Sequence, residues 1–272
     1  LKDFKIDIIL HMAAESHVDR SIKDPSIYVH SNIIPTSNLL LACNKLINKR
    51  KIRFIYFSTD EVFGSNHDTA RFNLSSRLNP SSPYSASKAA SGLLVQSWRK
   101  TFNLNASILY CCNNYGPYQN PEKLIPATFY RIINNLPILI YGDGKQIRTW
   151  IYVEDTIQAI EKIITSKKTT NEDFLIGSRK DYTNLKIIRE LCNLYEKKLK
   201  VKLPKDIIKH TIDRPGHDKA YKLSVDKNLV KLGFNINFDL KIGLKETIDW
   251  YVSNPDFIEN KKYTKFIGKL KK

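Results

Sequence analysis

Short runs of β-branched and aromatic residues alternate along the chain with longer segments of helical periodicity. Three apolar runs, at 6–11, 51–58 and 106–112, have the length and composition of buried strands. Helices are predicted at 24–46 and 83–100, where Pro residues stand at early-turn positions. Alternation of strands and helices favours a parallel sheet with helices on its faces. The pattern therefore predicts an α/β fold.

Beyond Asn113 the pattern loosens, and short strands mix with helices around a Pro-punctuated loop and the turn GDGKQ. Helices are predicted near 125–134, 154–165, 185–198 and 242–254, and short strands at 138–142 (ILIYG), 149–153 and 173–176. We expect residues 1–115 to form a sheet domain and residues 116–272 to form mainly a smaller α+β lobe. Some of the later segments are expected to return to the sheet.

The predicted strands end in polar residues, and in open α/β sheets ligands bind beyond the carboxyl ends of the strands. The second strand ends in Ser58-Thr59-Asp60-Glu61. Adjacent carboxyl groups repel each other, so one can be held protonated as an acid while the other acts as a base. Two solvated turn residues are the alternative reading of this pair.

The helix predicted after this strand begins with Ser82 as the N-cap and Pro83 in the first turn. Tyr84 and Lys88 stand four residues apart and therefore share one helix face. The lysine charge can lower the pKa of the phenol, which would let Tyr84 accept a proton near neutral pH. A Tyr-x-x-x-Lys pair is also compatible with an ordinary surface pair.

Two later polar segments carry candidate ligand-binding side chains. Asn113 and Asn114 follow the third strand and could orient sugar hydroxyls or a nicotinamide, or could simply form a turn. The loop at 213–218 (DRPGHD) carries Arg214 and His217, which could meet a diphosphate or form a salt-bridged turn. His11 and His17 are interpreted as structural, and no residue cluster has the spacing of a metal site.

Composition narrows the partners and the compartment. The 272 residues carry a formal net charge of +17, but the excess comes from 33 Lys against 11 Arg, which indicates a lysine-rich surface rather than nucleic-acid binding. No apolar run approaches the ~18 residues of a membrane span. The four cysteines form no Cys-x-x-Cys motif, which favours a reducing compartment. We therefore expect a cytoplasmic protein that binds neither nucleic acid, membrane nor metal.

Six segments together carry a family resemblance. They are HMAAESHVDRSI (11–22), FSTDEVFG (57–64), NPSSPYSASKAAS (79–91), NNYGPYQNPEKLIP (113–126), YGDGKQIRTWIYVEDT (141–156) and DRPGHDKAY (213–221). With these motifs the chain resembles the nucleoside-diphosphate-glucose 4,6-dehydratases, typified by dTDP-glucose 4,6-dehydratase, of the extended short-chain dehydrogenase/reductase superfamily. STDEV and RPGHD separate this group from the epimerases and decarboxylases that share Tyr-x-x-x-Lys.

The resemblance implies a Rossmann-like, doubly wound parallel sheet with a smaller C-terminal α+β substrate lobe, a homodimer that includes the Tyr-x-x-x-Lys helix, and NAD-dependent conversion of an NDP-glucose to its 4-keto-6-deoxy sugar. It assigns Tyr84 to the C4 hydroxyl proton, with Lys88 lowering the pKa of Tyr84 and holding the nicotinamide ribose. Thr59 would bind the C4 oxygen. Glu61 would remove the C5 proton, and Asp60 would protonate the departing C6 hydroxyl.

The resemblance also implies two sets of ligand contacts. Along the cofactor it places Met12, Ala13, Ala14, Glu15, Ser16, Ser31, Tyr84, Lys88 and Asn114. Around the nucleotide sugar it places Ser16, Thr59, Asn113, Lys123, Leu124, Leu139, Ile140, Tyr141, Arg148, Asn184, Asp213, Arg214, Pro215, Gly216 and His217. Ser31 stands where threonine is common in the family, and Leu139 stands where proline is common.

One departure from the family is large. The family begins with a βαβ unit whose Gly-x-x-Gly-x-x-Gly turn binds the cofactor pyrophosphate, whereas the first glycine here is Gly64. We expect this first βαβ unit, roughly 60 residues, to be missing. We also expect the chain as written to be inactive and poorly stable.

Several alternatives stay open at the level of sequence. The nucleotide base could be that of dTDP, UDP or CDP, and the preference for NAD over NADP is not readable without the glycine-rich turn. A different reaction on the same fold, 4-epimerisation or decarboxylation, would release no water from the sugar. A non-enzymatic binding protein that uses its positive charge would bind nucleic acid in a salt-sensitive way.

Overall fold

A computed structural model describes residues 5–46, 50–66, 70–166 and 169–259. The strands within these residues are β1 (Ile8–His11), β2 (Arg53–Thr59), β3 (Asn105–Cys111), β4 (Asn113–Tyr115), β5 (Ile138–Tyr141), β6 (Ile147–Tyr152), β7 (Phe174–Ile176), β8 (Asp181–Thr183), β9 (Ile208–Thr211) and β10 (Ala220–Tyr221). The α-helices are α1 (Val18–Lys23), α2 (Pro25–Tyr28), α3 (Ile34–Asn44), α4 (Pro83–Phe102), α5 (Leu124–Ile133), α6 (Val153–Thr165), α7 (Asn184–Leu199), α8 (Lys227–Lys231), α9 (Leu240–Ser253) and α10 (Pro255–Glu259). None of these helices is both long and apolar enough to cross a membrane.

The chain forms two compact units. The first unit comprises residues 1–112, 159–179 and 220–234, and the second comprises residues 113–158, 180–219 and 235–272. The chain therefore leaves the first unit at residue 112, close to the expected boundary at 115, and two later segments return to that unit.

The first unit is built on a four-stranded parallel sheet in the order β1-β2-β3-β7. The register pairs His11 with Tyr56 and Thr59 with Cys111, so the carboxyl ends of β1, β2 and β3 lie along one edge of the sheet. Most side chains of β2 and β3 are buried. Their near-continuous apolar composition is typical of strands covered on both faces.

The prediction of a buried first strand at 6–11 is wrong in its burial. β1 begins at Ile8, which is 38% exposed, and His11 is the buried residue of the strand. In the described sheet β1 is an edge strand that pairs with β2. An apolar run predicts a strand, but it does not show how many neighbours the strand has.

Helix α4 begins where the sequence predicts. Ser82 and Ser85 form a reciprocal capping box, each hydroxyl accepting a 3.1 Å hydrogen bond from the other residue's backbone N–H, and Pro83 occupies the first helical position. This cap places the side chain of Tyr84 in the first turn.

The predicted single helix at 24–46 is interrupted. Asp24 caps α2, a π-helical segment (Val29–Ile33) follows, and α3 continues from Ile34. Short π-helical segments are found frequently at functional sites. The side chain of Asn32 in this segment is buried and fully used in tertiary hydrogen bonds, which no periodicity signal predicts.

The second unit holds three pairs of strands around a helical core. β6 pairs in parallel with β4 and antiparallel with β8, and β5 pairs in parallel with β9. Helices α5, α7 and α9 contribute the aromatic side chains Phe129, Tyr195 and Tyr251 to its core. Gly243 lets α9 approach β4, because a Cβ there would overlap the hydroxyl of Tyr115.

One ion pair ties helix α4 to the sheet of the first unit. Both carboxylate oxygens of Asp173 accept from Arg99, at 2.8 and 3.1 Å, and one of them also accepts from the backbone N–H of Ile108 at 2.9 Å. The pair is mostly buried. It therefore links α4, β3 and the segment that enters β7.

We expect Asp173→Ala to lower the free energy of unfolding by about 2–3 kcal/mol, because it leaves a mostly buried guanidinium and a backbone N–H without their acceptor. The measurement is urea denaturation of the protein. The matched control is Asp206→Ala, which removes an exposed ion pair with Lys209 and should change stability by less than about 1 kcal/mol. Equal effects of the two substitutions would contradict this assignment.

Candidate active site

Two adjacent carboxyl groups stand at the carboxyl end of β2. Asp60 and Glu61 begin a 3-10 turn (Asp60–Phe63), and the hydroxyl of Thr59 caps it by accepting from the backbone N–H of Glu61 at 3.3 Å. Asp60 is 1% exposed, whereas Glu61 is partly exposed. Gly64 ends the turn with a φ of 74°, and a Cβ at this position would overlap the carbonyl oxygen of Asn79.

The phenol of Tyr84 lies at the same strand end. Tyr84 is buried, and burial, followed by the negative charge of Glu61, raises the pKa of the phenol well above its ordinary value. A side-chain hydrogen bond with Thr59 acts in the opposite direction and lowers this pKa. The structure thus brings together Thr59, Glu61 and Tyr84, as the sequence motifs predict.

Lys88 lies one turn further along α4. Its Nζ donates a 2.6 Å hydrogen bond to the carbonyl of Phe57 and lies 4.3 Å from the ring centre of Tyr56. Burial lowers the pKa of Lys88 to about 7.

The expected lowering of the Tyr84 pKa by Lys88 is not what the structure gives. The pKa of Tyr84 is raised, because removal from water and the nearby carboxylates dominate. Burial also leaves Lys88 partly neutral near pH 7, and its Nζ donates to the Phe57 carbonyl. The assistance of Lys88 to Tyr84 therefore depends on Lys88 being protonated.

The segment after β1 lies at the edge where β2 also ends. Met12, Ala13 and Ala14 are exposed there, and Ser16 and Ser31 are partly buried. The amide of Asn32 fixes this segment, because it accepts from the backbone N–H of Glu15 at 2.8 Å and donates to the Glu15 carbonyl at 3.0 Å.

Asn32 also connects this segment to the Tyr84 helix, by donating to the hydroxyl of Ser87 at 2.8 Å. Sequence reasoning missed Asn32, because its function comes from contacts 17 and 55 residues away. The signal that could have indicated it is the polar residue within a predicted apolar helix.

The residues predicted to bind the nucleotide sugar in the second unit form a cluster. Arg148 is buried on β6 and donates to the Asp218 carbonyl at 3.0 Å. The ring of Tyr141 lies edge-on to that of His217, with 6.2 Å between ring centres. Asn184 is held nearby, since its backbone N–H donates to the Gln146 carbonyl at 3.0 Å.

His217 is a neutral member of this cluster. Burial, followed by the positive charge of Arg214, lowers the pKa of His217 to about 4. Its Nδ1 lies 2.6 Å from a carboxylate oxygen of Asp213, so the proton of the neutral ring resides on Nδ1 and Nε2 can accept a hydrogen bond. Of the two residues that the sequence assigns to a diphosphate, Arg214 is therefore the cation.

The other predicted contacts are more dispersed. Asn114 lies on β4 and accepts from the hydroxyl of Thr156 at 2.5 Å, and Asn113 precedes it on the same strand. The side chain of Ile140 belongs to the apolar core, so a contact of this residue with a ligand would be made through its backbone. The remaining predicted contacts in the second unit, partly buried or exposed, are Lys123, Leu124, Leu139, Pro215 and Gly216.

A parallel sheet whose second strand ends beside a Tyr-x-x-x-Lys helix defines a Rossmann-like enzyme of the short-chain dehydrogenase/reductase class. The family model described as GDP-mannose 4,6 dehydratase matches residues 1–247. The chain belongs to this family.

Relatives and solved structures agree with this membership. The dTDP-glucose 4,6-dehydratase of Escherichia coli is 38% identical over 95% of this chain and 76% of its own length. The dTDP-glucose 4,6-dehydratase of Streptomyces venezuelae, crystallised with NAD and TYD, superimposes with a TM-score of 0.84 at 35% identity, over 92% of this chain and 74% of that one. The UDP-glucuronic acid 4-epimerase of Bacillus cereus, solved with UDP-glucuronic acid and NAD, gives a TM-score of 0.81 at 27% identity, over 91% and 76% of the two chains.

The pKa of Lys88 gives a prediction about stability and pH. The folded-state pKa is about 7 and the ordinary value is 10.5, so the unfolded chain binds the extra proton between these values. The cost of burying the charge is present in full below pH 7 and disappears as the pH rises toward 10.5. Lys88→Met removes this cost. The free energy of unfolding of the variant, relative to that of the parent protein, should therefore be about 3–5 kcal/mol higher at pH 6 than at pH 10.

The measurement is urea denaturation of both proteins across this pH range. The matched control is Lys100→Met, which replaces an exposed lysine on the same helix. A pH-independent difference for Lys88→Met would contradict the assigned pKa.

Proposed function

We propose that the protein is an NAD-dependent NDP-glucose 4,6-dehydratase, with dTDP-glucose as the substrate. The observation that carries the proposal is the pair of adjacent carboxyl groups, Asp60 and Glu61, beside the buried phenol of Tyr84. Removal of water from a sugar needs both an acid and a base, and two carboxyl groups in different surroundings can supply them. The dTDP-glucose 4,6-dehydratases among the relatives support the same reaction.

The first unit offers two features that suit NAD. In the exposed segment at the end of β1, next to the end of β2, Ala13 and Ala14 have small side chains, so a dinucleotide can approach the backbone closely. Lys88 supplies an ammonium group that can donate to ribose hydroxyls. When bound, NAD⁺ supplies the oxidation at C4 of the sugar and its later reversal at C6.

The proton transfers belong to the chain's own residues. Tyr84 takes the proton of the C4 hydroxyl, while Thr59, which already hydrogen-bonds Tyr84, binds the C4 oxygen. The C4 ketone acidifies the C5–H bond, and Glu61 removes that proton. Asp60 donates a proton to the C6 hydroxyl, which leaves as water. After the reduction at C6, Glu61 returns its proton to C5, which leaves the ketone at C4. The proton held by Tyr84 passes to solvent, and Asp60 is reprotonated from solvent.

The different surroundings of the two carboxyl groups fit the roles of Asp60 as the acid and Glu61 as the base. Asp60 is almost completely buried, whereas Glu61 is partly exposed and lies close enough to Tyr84 to influence its pKa. A base that serves C5 must lie close to the phenol that serves C4, because the two carbons are neighbours in the sugar ring. Glu61 meets that requirement.

The second unit would hold the nucleotide diphosphate. Arg214 is the cation of the loop at 213–217, and the buried Arg148 supports that loop through the Asp218 carbonyl. Tyr141, Asn184 and the neutral His217 supply hydrogen-bonding groups in the same cluster. We therefore assign the cofactor to the first unit and the nucleotide sugar mainly to the second.

Substitution of the acid, the base and the phenol tests the proposal. In the enzyme, Tyr84→Phe, Asp60→Asn and Glu61→Gln should each reduce kcat by about 10²–10⁴-fold, because each removes one proton transfer. The assay follows product mass, which shows whether the sugar has lost one water. It is run with both dTDP-glucose and UDP-glucose.

A matched control is Asp143→Asn, an exposed carboxylate in the turn before β6, which should leave kcat unchanged. A product with the mass of the substrate would instead favour 4-epimerisation. Full turnover in any of the three site variants would reject the role assigned to that residue.

We further propose a cytoplasmic homodimer that associates through α3 and α4. Leu41 of α3 and Leu93 of α4, the latter 52% exposed, present apolar side chains to solvent, although the two helices pack on each other within the first unit. The four cysteines are free thiols, which supports a reducing compartment.

We expect Leu93→Glu to convert the dimer to a monomer, because a charge would be buried at the centre of the interface. Light scattering after size-exclusion chromatography measures the mass. Ile157→Glu, an exposed apolar position on α6, is the control and should leave the dimer intact. A dimer that survives Leu93→Glu would place the interface elsewhere.

A further inference from the structure

One carboxylate joins the turn at residues 142–146 to the loop at 213–217. Within the loop, one oxygen of Asp213 accepts from the backbone N–H of Arg214 at 2.9 Å and from Nδ1 of His217 at 2.6 Å. The other oxygen accepts from Nε2 of Gln146 at 3.2 Å. These donors outweigh the effect of burial, so the pKa of Asp213 is lowered. Gln146 is thus the donor that reaches the carboxylate from outside the loop.

The side chain of Gln146 has a fixed orientation. It is 7% exposed, and Nε2 also lies 3.5 Å from the Tyr141 carbonyl. Oε1 is buried and has no hydrogen-bond partner among the described residues. Exchanging Nε2 with Oε1 would place an acceptor against the Asp213 carboxylate, so the geometry assigns the amide nitrogen to that side.

The backbone holds both ends of this link in place. The Gln146 carbonyl accepts from Asn184, and the next residue, Ile147, donates its N–H to the Lys219 carbonyl at 2.8 Å. On the side of the turn, Gly142 has a φ of 57°, and a Cβ there would lie 2.9 Å from the Asp213 carboxylate. The Asp213 carboxylate therefore packs directly against the turn, and the turn and the loop have little room to move relative to each other.

We propose that Gln146 is a positioning residue that sets the loop carrying Arg214 and His217 for the diphosphate of the nucleotide sugar. It acts through Asp213, and the inference rests on the proposed function. Loss of the Gln146 hydrogen bond releases the loop and weakens substrate binding. The proton transfers are unaffected, because Asp60, Glu61 and Tyr84 do not take part in this link. A substitution should therefore raise KM and leave kcat nearly unchanged.

A reciprocal exchange of amide and carboxylate tests this role. Gln146→Glu places two carboxylates against each other, and Asp213→Asn places two amide donors against each other. The double variant restores one N–H···O bond with its direction reversed, and the remaining Asn oxygen can still accept from His217 and Arg214. Each single substitution should weaken binding of dTDP or UDP by about 10-fold, and the double variant should recover to within about 3-fold of the parent enzyme.

Binding is measured by isothermal titration calorimetry on the enzyme, alongside KM and kcat. The deficit of Gln146→Glu should shrink as the pH falls from 7 to 5, because protonation of the introduced carboxyl group restores a donor. Asp143→Asn, in the same turn but with its side chain paired to Lys145, should bind like the parent.

Equal losses in Gln146→Glu and the double variant, or a fall in kcat with unchanged KM, would overturn the positioning role. Failure of the parent enzyme to bind either nucleotide or to release water from the sugar would overturn the proposed function itself. If the parent enzyme binds the nucleotide and Gln146→Glu binds it equally tightly at every pH, only the role of Gln146 would be overturned.

Discussion

The hydrogen bond between the Lys88 ammonium and the Phe57 carbonyl fixes helix α4 against the end of β2, and the site in the first unit depends on it. Phe57 stands two residues before Thr59, and Tyr84 lies one helical turn before Lys88. The two contacts, lysine to strand and tyrosine to threonine, therefore run between the same pair of elements. A shift of α4 along β2 would break both contacts. Lys88 therefore holds the Tyr84 phenol in place even when its amine is neutral.

The exclusion of water strengthens this contact, and it also determines which groups of the site carry a proton in the resting protein. A buried phenol and a buried amine both favour their neutral forms, so Tyr84 keeps its proton while Lys88 is ready to lose one. At rest Tyr84 is thus in the form that it takes after it has accepted the C4 proton. The first step of the proposed reaction needs the phenolate, which a protonated Lys88 favours through its positive charge.

Local chemistry explains what could be predicted from the sequence. The capping box at Ser82 and Ser85, the Tyr84–Lys88 spacing and the two carboxyl groups after β2 are encoded within a few residues, and all of them form as expected. The exposure of β1 depends on how many strands flank it, and the position of the Asn32 amide depends on contacts with distant segments. The start of α3, by contrast, coincides with Pro35 in its first turn, which is a local signal. The link from Gln146 to Asp213 spans 67 residues, so no local pattern could indicate it.

The π-helical segment between α2 and α3 has a consequence for the alignment of related chains. A π-helical turn holds one residue more than an α-helical turn. Deleting a residue there would rotate the preceding turn by about 100° relative to α3. Either Asn32 or the helix beyond it would then face the wrong way, and the segment after β1 would lose its anchor. Chain length in this helix is therefore as tightly constrained as residue identity, although its exposed positions are free to vary.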